Sequence, residues 1–302
     1  MDSMDSTDGG SESELIRALW TGLGLPGLVD VHTHFMPANV LRKVQAFFDG
    51  LGDGVWPIRY RETEDERVAM LRAFGVRRFT SLLYPHKPAM AEWLNGWAAD
   101  FAARTPDCLH SATFYPEPDA ARYVTDALDS GARVFKAHLQ VGGYDPADPL
   151  LAPVWGALED SATPVVVHCG SGPRPGAFTG PEPFTKVLSA HPRLYAVIAH
   201  AGLPEYGPFL DLAERFANVH LDTTMVFTPF TERMAPFPAA ELPRLGGLGD
   251  RVLLGTDFPN IPHRYYDQLT ALTALGLGDD WLRAVLYDNG ARLFGADLER
   301  TG

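Results

Sequence analysis

The sequence predicts an α/β protein folded as a single (β/α)8 barrel, and three patterns favour this fold. Short apolar or β-branched runs alternate with longer amphipathic stretches along the 302 residues, as expected of parallel strands that are each followed by a helix. Runs such as PVVVH and RVLLG are apolar throughout, which is typical of strands buried on both faces. No short repeat or linker divides the chain, and α/β barrels commonly have this length as one domain.

Eight runs are predicted to be strands, with helices between them. The strands cover residues 27–34, 76–84, 108–116, 132–139, 164–170, 194–202, 218–224 and 251–259. Apolar residues spaced three and four apart predict helices over 61–75, 89–105 and 117–131. Gly75 and Gly131 stand at the end of two of these helices, directly before the next strand, which is a common position for glycine.

Segments outside this alternation complete the predicted domain. Residues 35–60, after the first strand, are predicted to form a long loop rich in aromatic side chains, and we expect this loop to cover the mouth of the barrel. Residues 265–276 and 279–295 are expected to form closing helices. Because the start of the chain is acidic and rich in Ser and Gly, residues 1–14 are predicted to be a disordered tail and 15–302 the barrel domain. The tail lacks the basic start and apolar stretch of a signal peptide.

The composition excludes several classes of function. A net charge of −13, from 25 Lys and Arg against 38 Asp and Glu, argues against nucleic-acid or anionic-membrane partners, since both need basic patches. No apolar run approaches the roughly 18 residues of a membrane span. Two cysteines, Cys108 and Cys169, argue against a disulfide framework and favour a cytoplasmic location. We therefore expect a small-molecule substrate, and the sequence leaves a homo-oligomer open.

Polar side chains stand where the predicted strands end. His32 and His34 end the first strand two positions apart, and because residues i and i+2 share a face of a strand, both imidazoles can converge on one divalent metal. The other groups at strand ends are Lys136, His138, His168, His200 and Asp257. Each has a structural alternative, such as a helix N-cap for Asp257. Their joint placement at the rim where barrels carry active sites nevertheless favours a metal site.

The segments DVHTH, VVHCG, AHAG, GTDFP and DNGARLFG, taken in this order, resemble the amidohydrolase superfamily. The resemblance is closest to its amidohydrolase-related branch (amidohydrolase 2), which includes proteins of the aminocarboxymuconate-semialdehyde decarboxylase type, and it extends over nearly the whole chain. It implies metal ligation by His32, His34 and His168, contact of Asp257 with the metal or its water, and an acid or base role for His200.

The cofactor implied by this resemblance is one divalent ion, with zinc preferred and manganese second. Such an ion leaves a position open for water and lowers the pKa of that water toward about 7. In some binuclear relatives a lysine on strand four is carboxylated and bridges two metals, which leaves the state of Lys136 open. One ion is favoured because a mononuclear site is sufficient to generate hydroxide.

Three functions are compatible with these residues. The favoured one is a hydrolase of a small ester, lactone or amide, in which Asp257 accepts the proton of water and His200 contacts that water or the substrate. The alternative is a non-oxidative decarboxylase of a small aromatic or enoic acid, and the third is a barrel that binds a ligand without turnover. Candidate substrate-binding residues are Lys136, His138, Arg174 and Arg264, and Arg59 and Arg61 are further candidates for a carboxylate.

Overall fold

Eight parallel strand positions form the wall of the barrel in the computed structural model, which describes residues 10–52 and 54–294. Every strand pairs in parallel with its neighbour along the chain. The third position is interrupted at His110 and consists of two segments. The strands are β1 Leu28–Asp30, β2 Val76–Thr80, β3 Cys108–Leu109 and Ser111–Thr113, β4 Val134–His138, β5 Val165–His168, β6 Ala196–Ile198, β7 Val219–Asp222 and β8 Val252–Leu253.

The barrel closes through backbone bonds between the segments that follow β1 and β8. The Val31 amide donates to the Leu254 carbonyl at 2.9 Å, and the Asp257 amide donates to the His32 carbonyl at 2.8 Å. The two segments of β3 join strands β1 and β2 to strands β4 to β8, because the first segment pairs with β2 and the second with β4. The predicted (β/α)8 barrel is therefore confirmed.

Helices fill the connections between the strands, as the periodic apolar pattern predicted. They are α1 Glu12–Gly22, α2 Ala38–Asp49, α3 Glu64–Phe74, α4 Ala91–Arg104, α5 Ala120–Asp129, α6 Leu139–Gly142, α7 Ala152–Asp160, α8 Pro181–Ala190, α9 Tyr206–Arg215, α10 Pro229–Glu232, α11 Leu242–Gly247, α12 Tyr265–Ala274, α13 Asp279–Arg283 and α14 Asn289–Leu293. Among the residues that the structure describes, no helix is both long and apolar enough to cross a membrane.

The strands are buried on both faces, as their continuous apolar sequences predicted. Val165, Val166 and Val167 of β5 have no exposed surface, because successive side chains point alternately into the barrel and toward the helix layer. Aromatic side chains join the helices to the wall, and Phe101 of α4 stacks on Phe35 with ring centroids 5.0 Å apart. The polar strand ends therefore stand at the edge of a continuous apolar core.

Two predictions at the start of the chain need correction. Residues 12–14 belong to α1 and not to a tail, because Ser11 and Glu14 form the Ser-x-x-Glu pattern of a helix start, with the Ser11 amide donating to Glu14 Oε2 at 2.6 Å. The segment 35–60 contains α2 and is not all loop. Residues 1–9 of the predicted tail and 295–302 of the predicted domain lie outside the described residues.

We predict that Gly290→Ala lowers the free energy of unfolding by about 1–3 kcal/mol, the usual cost of overpacking. Gly290 lies in α14 against β1, and an added Cβ would meet Val29 Cγ1 at 2.6 Å. The matched variant Gly156→Ala in α7 meets nothing within 4 Å and should be neutral or stabilising by about 0.5–1 kcal/mol. Urea unfolding of both variants measures the difference, and equal stability of the two would contradict close packing of α14 on β1.

Candidate metal centre

Three of the predicted ligands meet just beyond the ends of β1 and β8. His32, His34 and Asp257 each offer one ligand atom, and these atoms lie within 4.8 Å of one another. Both histidines are buried, and the Asp257 side chain is 16% exposed. Since β1 ends at Asp30, the two histidines follow the strand and do not lie in it, yet their rings still converge, with centroids 5.1 Å apart.

His32 is oriented by a buried carboxylate. Its Nδ1 lies 2.8 Å from Asp222 Oδ2, and because an ionised carboxylate only accepts, the hydrogen-bond partners assign the ring proton to Nδ1. The Nε2 atom then carries a lone pair, 3.5 Å from Asp257 Oδ1 and 3.3 Å from Lys136 Nζ. His32 therefore presents Nε2 to the cluster as a donor for a metal.

His34 supplies the test of whether these residues fit a cation. Its Nδ1 lies 2.8 Å from the Leu82 carbonyl oxygen, which only accepts, and its Nε2 lies 2.8 Å from Asp257 Oδ1. With the proton on Nδ1, a nitrogen lone pair and a carboxylate oxygen face each other at this distance. A divalent cation satisfies both atoms together with His32 Nε2, and two imidazoles with a carboxylate are a ligand set that zinc accepts. The residues therefore fit a metal.

His168 lies beside the cluster and not among the three converging ligand atoms. Its Nε2 lies 2.9 Å from the Gly172 carbonyl oxygen, which places the proton on Nε2 and leaves a lone pair on Nδ1. Its ring stacks on His138 at a centroid distance of 4.0 Å, because the two residues are register partners of β5 and β4. Its role as a metal ligand stays a prediction.

His200 follows β6, which is separated from β8 only by β7, and its ring lies beside the cluster. Its ring centroid is 5.2 Å from that of His32 and 4.9 Å from that of His168. The His200 amide donates to Asp222 Oδ1 at 2.8 Å, and the ring Nδ1 lies 3.1 Å from the Thr224 carbonyl oxygen. The Nε2 atom of His200 is therefore left as an acceptor near the cluster.

Burial favours the neutral form of four imidazoles at this site, the form that metal ligation requires. It lowers the pKa of His32, His138, His168 and His200. For His32 the pKa is about 3, with the Lys136 ammonium adding to the effect of burial. Burial also lowers the pKa of Lys136 to about 8, an effect that the carboxylates of Asp222 and Asp257 oppose. Lys136 is fully buried at this site.

Two buried carboxylates were missed by the sequence analysis. Burial raises the pKa of Asp30 to about 7, against the hydroxyl bonds from Thr256 and Tyr265. Burial favours the neutral form of Asp222 too, but the His32 side chain holds the pKa of that carboxyl well below its usual range. Asp222 is the last residue of β7, so a search for polar residues at strand ends, which found Asp257, would also have found Asp222.

The arginines considered for the substrate lie apart from the three-residue cluster. No hydrogen bond or ion pair within residues 10–52 and 54–294 joins the cluster to Arg59, Arg61, Arg174 or Arg264. Arg264 pairs with Asp267 at 2.9 Å, and Arg61 pairs with Asp49. Arg174 is exposed. The structure places Lys136 and His138 at the site. A substrate-binding role stays a prediction for these two residues and for the four arginines.

The sequence matches the family model described as amidohydrolase over residues 29–296. The chain belongs to the amidohydrolase family. This match confirms the resemblance found in the strand-end motifs, and the amidohydrolase 2 model spans the whole barrel from β1 to α14. No curated protein matches the sequence.

Solved structures share the fold at low sequence identity. The complex of 2,6-dihydroxybenzoate decarboxylase with 2,6-dihydroxybenzoate has a TM-score of 0.66 and 19% identity, over 89% of this chain and 99% of that one. The 5-carboxyvanillate decarboxylase of Novosphingobium aromaticivorans, complexed with manganese and 4-hydroxy-3-methoxy-5-nitrobenzoic acid, has a TM-score of 0.60 and 16% identity, over 90% of this chain and 97% of that one. A probable 2-pyrone-4,6-dicarboxylic acid hydrolase of Acinetobacter baumannii, with citric acid bound, has a TM-score of 0.59 and 15% identity, over 89% of this chain and 99% of that one. At these identities the likeness extends to the fold of this amidohydrolase alone.

We predict that Asp222→Asn weakens metal binding by roughly 10- to 100-fold, the usual effect of changing the partner of a ligating histidine. The amide nitrogen can donate to His32 Nδ1 and move the ring proton to Nε2, which blocks the lone pair that faces the cluster. Zinc affinity, measured by competition with a chromophoric chelator, tests this. Asp211→Asn is the control, since Asp211 is 70% exposed and pairs with Arg244. An unchanged affinity in Asp222→Asn would show that this bond does not orient His32.

Proposed function

We propose that this amidohydrolase is a metal-dependent hydrolase of a small ester, lactone or amide. The observation that carries the proposal is the convergence of His32 Nε2, His34 Nε2 and a carboxylate oxygen of Asp257 within 4.8 Å, with the acceptor nitrogen of His200 beside them. The metal is proposed to be a single ion, zinc first, because imidazole and carboxylate are its usual ligands, and manganese second.

The side chains around this cluster supply proton transfer. When bound, a divalent ion polarises the scissile carbonyl and lowers the pKa of a neighbouring water molecule. Burial raises the pKa of the Asp257 carboxyl, but the imidazoles of His34, His32 and His200 together lower it well below its usual range, so the carboxylate is ionised. Its carboxylate accepts a proton from water and donates it to the leaving oxygen or nitrogen. His200 Nε2 orients the water by accepting a hydrogen bond.

Lys136 favours an anionic substrate. Its ammonium group is fully buried and lies 3.3 Å from His32 Nε2, so a substrate carboxylate or carbonyl oxygen that enters the cluster meets a positive charge there. His138 follows Lys136 on the same face of β4 and is 9% exposed. We propose that these two side chains orient the substrate from the fourth strand.

A group of aromatic rings beside the cluster favours a second candidate, decarboxylation of an aromatic acid. His138 stacks face to face on His168 with an interplanar angle of 10°, and the Tyr84 ring lies 4.6 Å from His138, tilted by 52°. A planar substrate ring can pack against such aromatic rings. Two of the solved structures with this fold are decarboxylases named for aromatic acids. In this reaction Lys136 would hold the carboxylate that departs.

The two reactions are distinguished by their products. The protein, loaded with zinc or with manganese, is incubated in ¹⁸O-labelled water with small lactones, esters, amides and hydroxybenzoates, and the products are analysed by mass spectrometry. Hydrolysis is expected to place ¹⁸O in the product acid without loss of carbon. Release of carbon dioxide from a hydroxybenzoate would replace the hydrolase proposal by the decarboxylase alternative.

We predict that Asp257→Asn lowers kcat by at least about 100-fold, the size of a general-base contribution, while some metal is retained. His200→Ala should lower kcat similarly with metal content nearly unchanged, and His34→Ala should lose metal first. Elemental analysis and steady-state kinetics on the substrate found above measure these effects. The control is His191→Ala, because His191 pairs with Glu159 at a remote helix end. Normal turnover in Asp257→Asn would refute the assigned proton transfer even with metal present.

A further inference from the structure

The loop after β5 is held by the loop after β6 at the rim of the metal centre. The Gly172 amide donates to the Leu203 carbonyl at 3.0 Å, and the Ser171 amide donates to Glu205 Oε2 at 3.0 Å. A Cβ on Gly170 would lie only 2.4 Å from the Leu203 carbonyl oxygen. The two loops therefore touch through their backbones, and Glu205 provides the side-chain bond between them.

This contact fixes the atom that orients His168. The Gly172 carbonyl, directly after Ser171, accepts the bond from His168 Nε2 at 2.9 Å. The bond made by one ring nitrogen decides which nitrogen of a neutral imidazole keeps its lone pair. If the carbonyl moved away, the proton would no longer be held on Nε2, and Nδ1 would no longer keep the lone pair that can bind a metal.

The contacts of Glu205 indicate that its carboxylate holds the loop after β5. The bond from the Ser171 amide is the side-chain hydrogen bond that the structure gives Glu205, and no Lys or Arg in residues 10–52 and 54–294 pairs with it. An ionised carboxylate is a stronger acceptor for a backbone amide than a neutral group. The Glu205 amide also donates to the Gly202 carbonyl at 2.9 Å, so the residue is anchored in the loop that carries His200.

We propose that Glu205 is a positioning residue for His168. By accepting the Ser171 amide, it holds the Gly172 carbonyl against His168 Nε2 and keeps Nδ1 unprotonated. The proposal rests on the proposed metal-dependent function only for what that nitrogen then does, since His168 was predicted from the sequence to bind the metal. Glu205 itself contacts neither the metal ligands nor the substrate in this scheme.

The tautomer of His168 is the direct test. Metal-free protein labelled with ¹⁵N-histidine is examined by long-range ¹H–¹⁵N correlation, and the His168 signals are assigned with His168→Gln. The unmodified protein should show the proton on Nε2. Glu205→Ala should show a mixture or the other tautomer, while Glu205→Gln should keep Nε2–H, since its amide oxygen can accept the same bond. Glu182→Ala, at an exposed position of α8, is the matched control and should resemble the unmodified protein.

Zinc affinity, measured by chelator competition, separates this proposal from the function proposed above. Glu205→Ala is expected to weaken zinc binding by about 10- to 100-fold, and Glu205→Gln should restore it. A changed tautomer with unchanged zinc affinity supports the positioning role and counts against His168 as a ligand. Retention of Nε2–H in Glu205→Ala, or its loss in Glu205→Gln at an unchanged unfolding temperature, would overturn the proposal.

Discussion

The metal centre depends on the backbone contact that closes the barrel between its first and last strands. Beyond these strands the His34 amide donates to the Phe258 carbonyl at 2.8 Å, and the Asp257 amide donates to the His32 carbonyl at the same distance. The segment that carries the two histidines is thus bonded through its backbone to the segment that carries the aspartate. Ligands fixed in this way need little rearrangement to bind a metal, because the backbone that carries them is already part of the barrel wall.

A strained backbone conformation directs the side chains of His200 and Asp257 into the site. His200, Ala201 and Asp257 have φ values of 56°, 48° and 70°, in the left-handed region that costs about 1–3 kcal/mol at such positions. Asp and His tolerate this region better than Ala does. The bond from the His200 amide to Asp222 and the bond from the Asp257 amide to His32 hold these turns. Part of the barrel's stability is therefore spent on directing an imidazole and a carboxylate to one point.

The sequence predicted the fold and the strand-end groups because both follow from local patterns. An apolar run that ends in a polar residue predicts a buried strand with its end at a barrel rim. In the structure His200 and Asp257 lie in the segments that follow β6 and β8. The start of α1 was missed because acidic composition was given more weight than the Ser-x-x-Glu capping pattern. The proton positions of His34 and His168 had no signal in the sequence, since their partners are the backbone carbonyls of Leu82 and Gly172, which any residue could supply.

The imidazoles of the site differ in the chemical group that accepts a hydrogen bond from the ring. The partners of His34, His168 and His200 are neutral carbonyls, whereas His32 bonds to a carboxylate, which makes an imidazole a more basic ligand. The same carboxylate, Asp222, also accepts the amide of His200. A change at Asp222 therefore reaches both a proposed metal ligand, His32, and the proposed acid or base, His200. Asp222, the last residue of β7, thus couples the proposed metal binding to the proposed proton transfer, whereas Glu205 is proposed to act on His168 through the loop after β5.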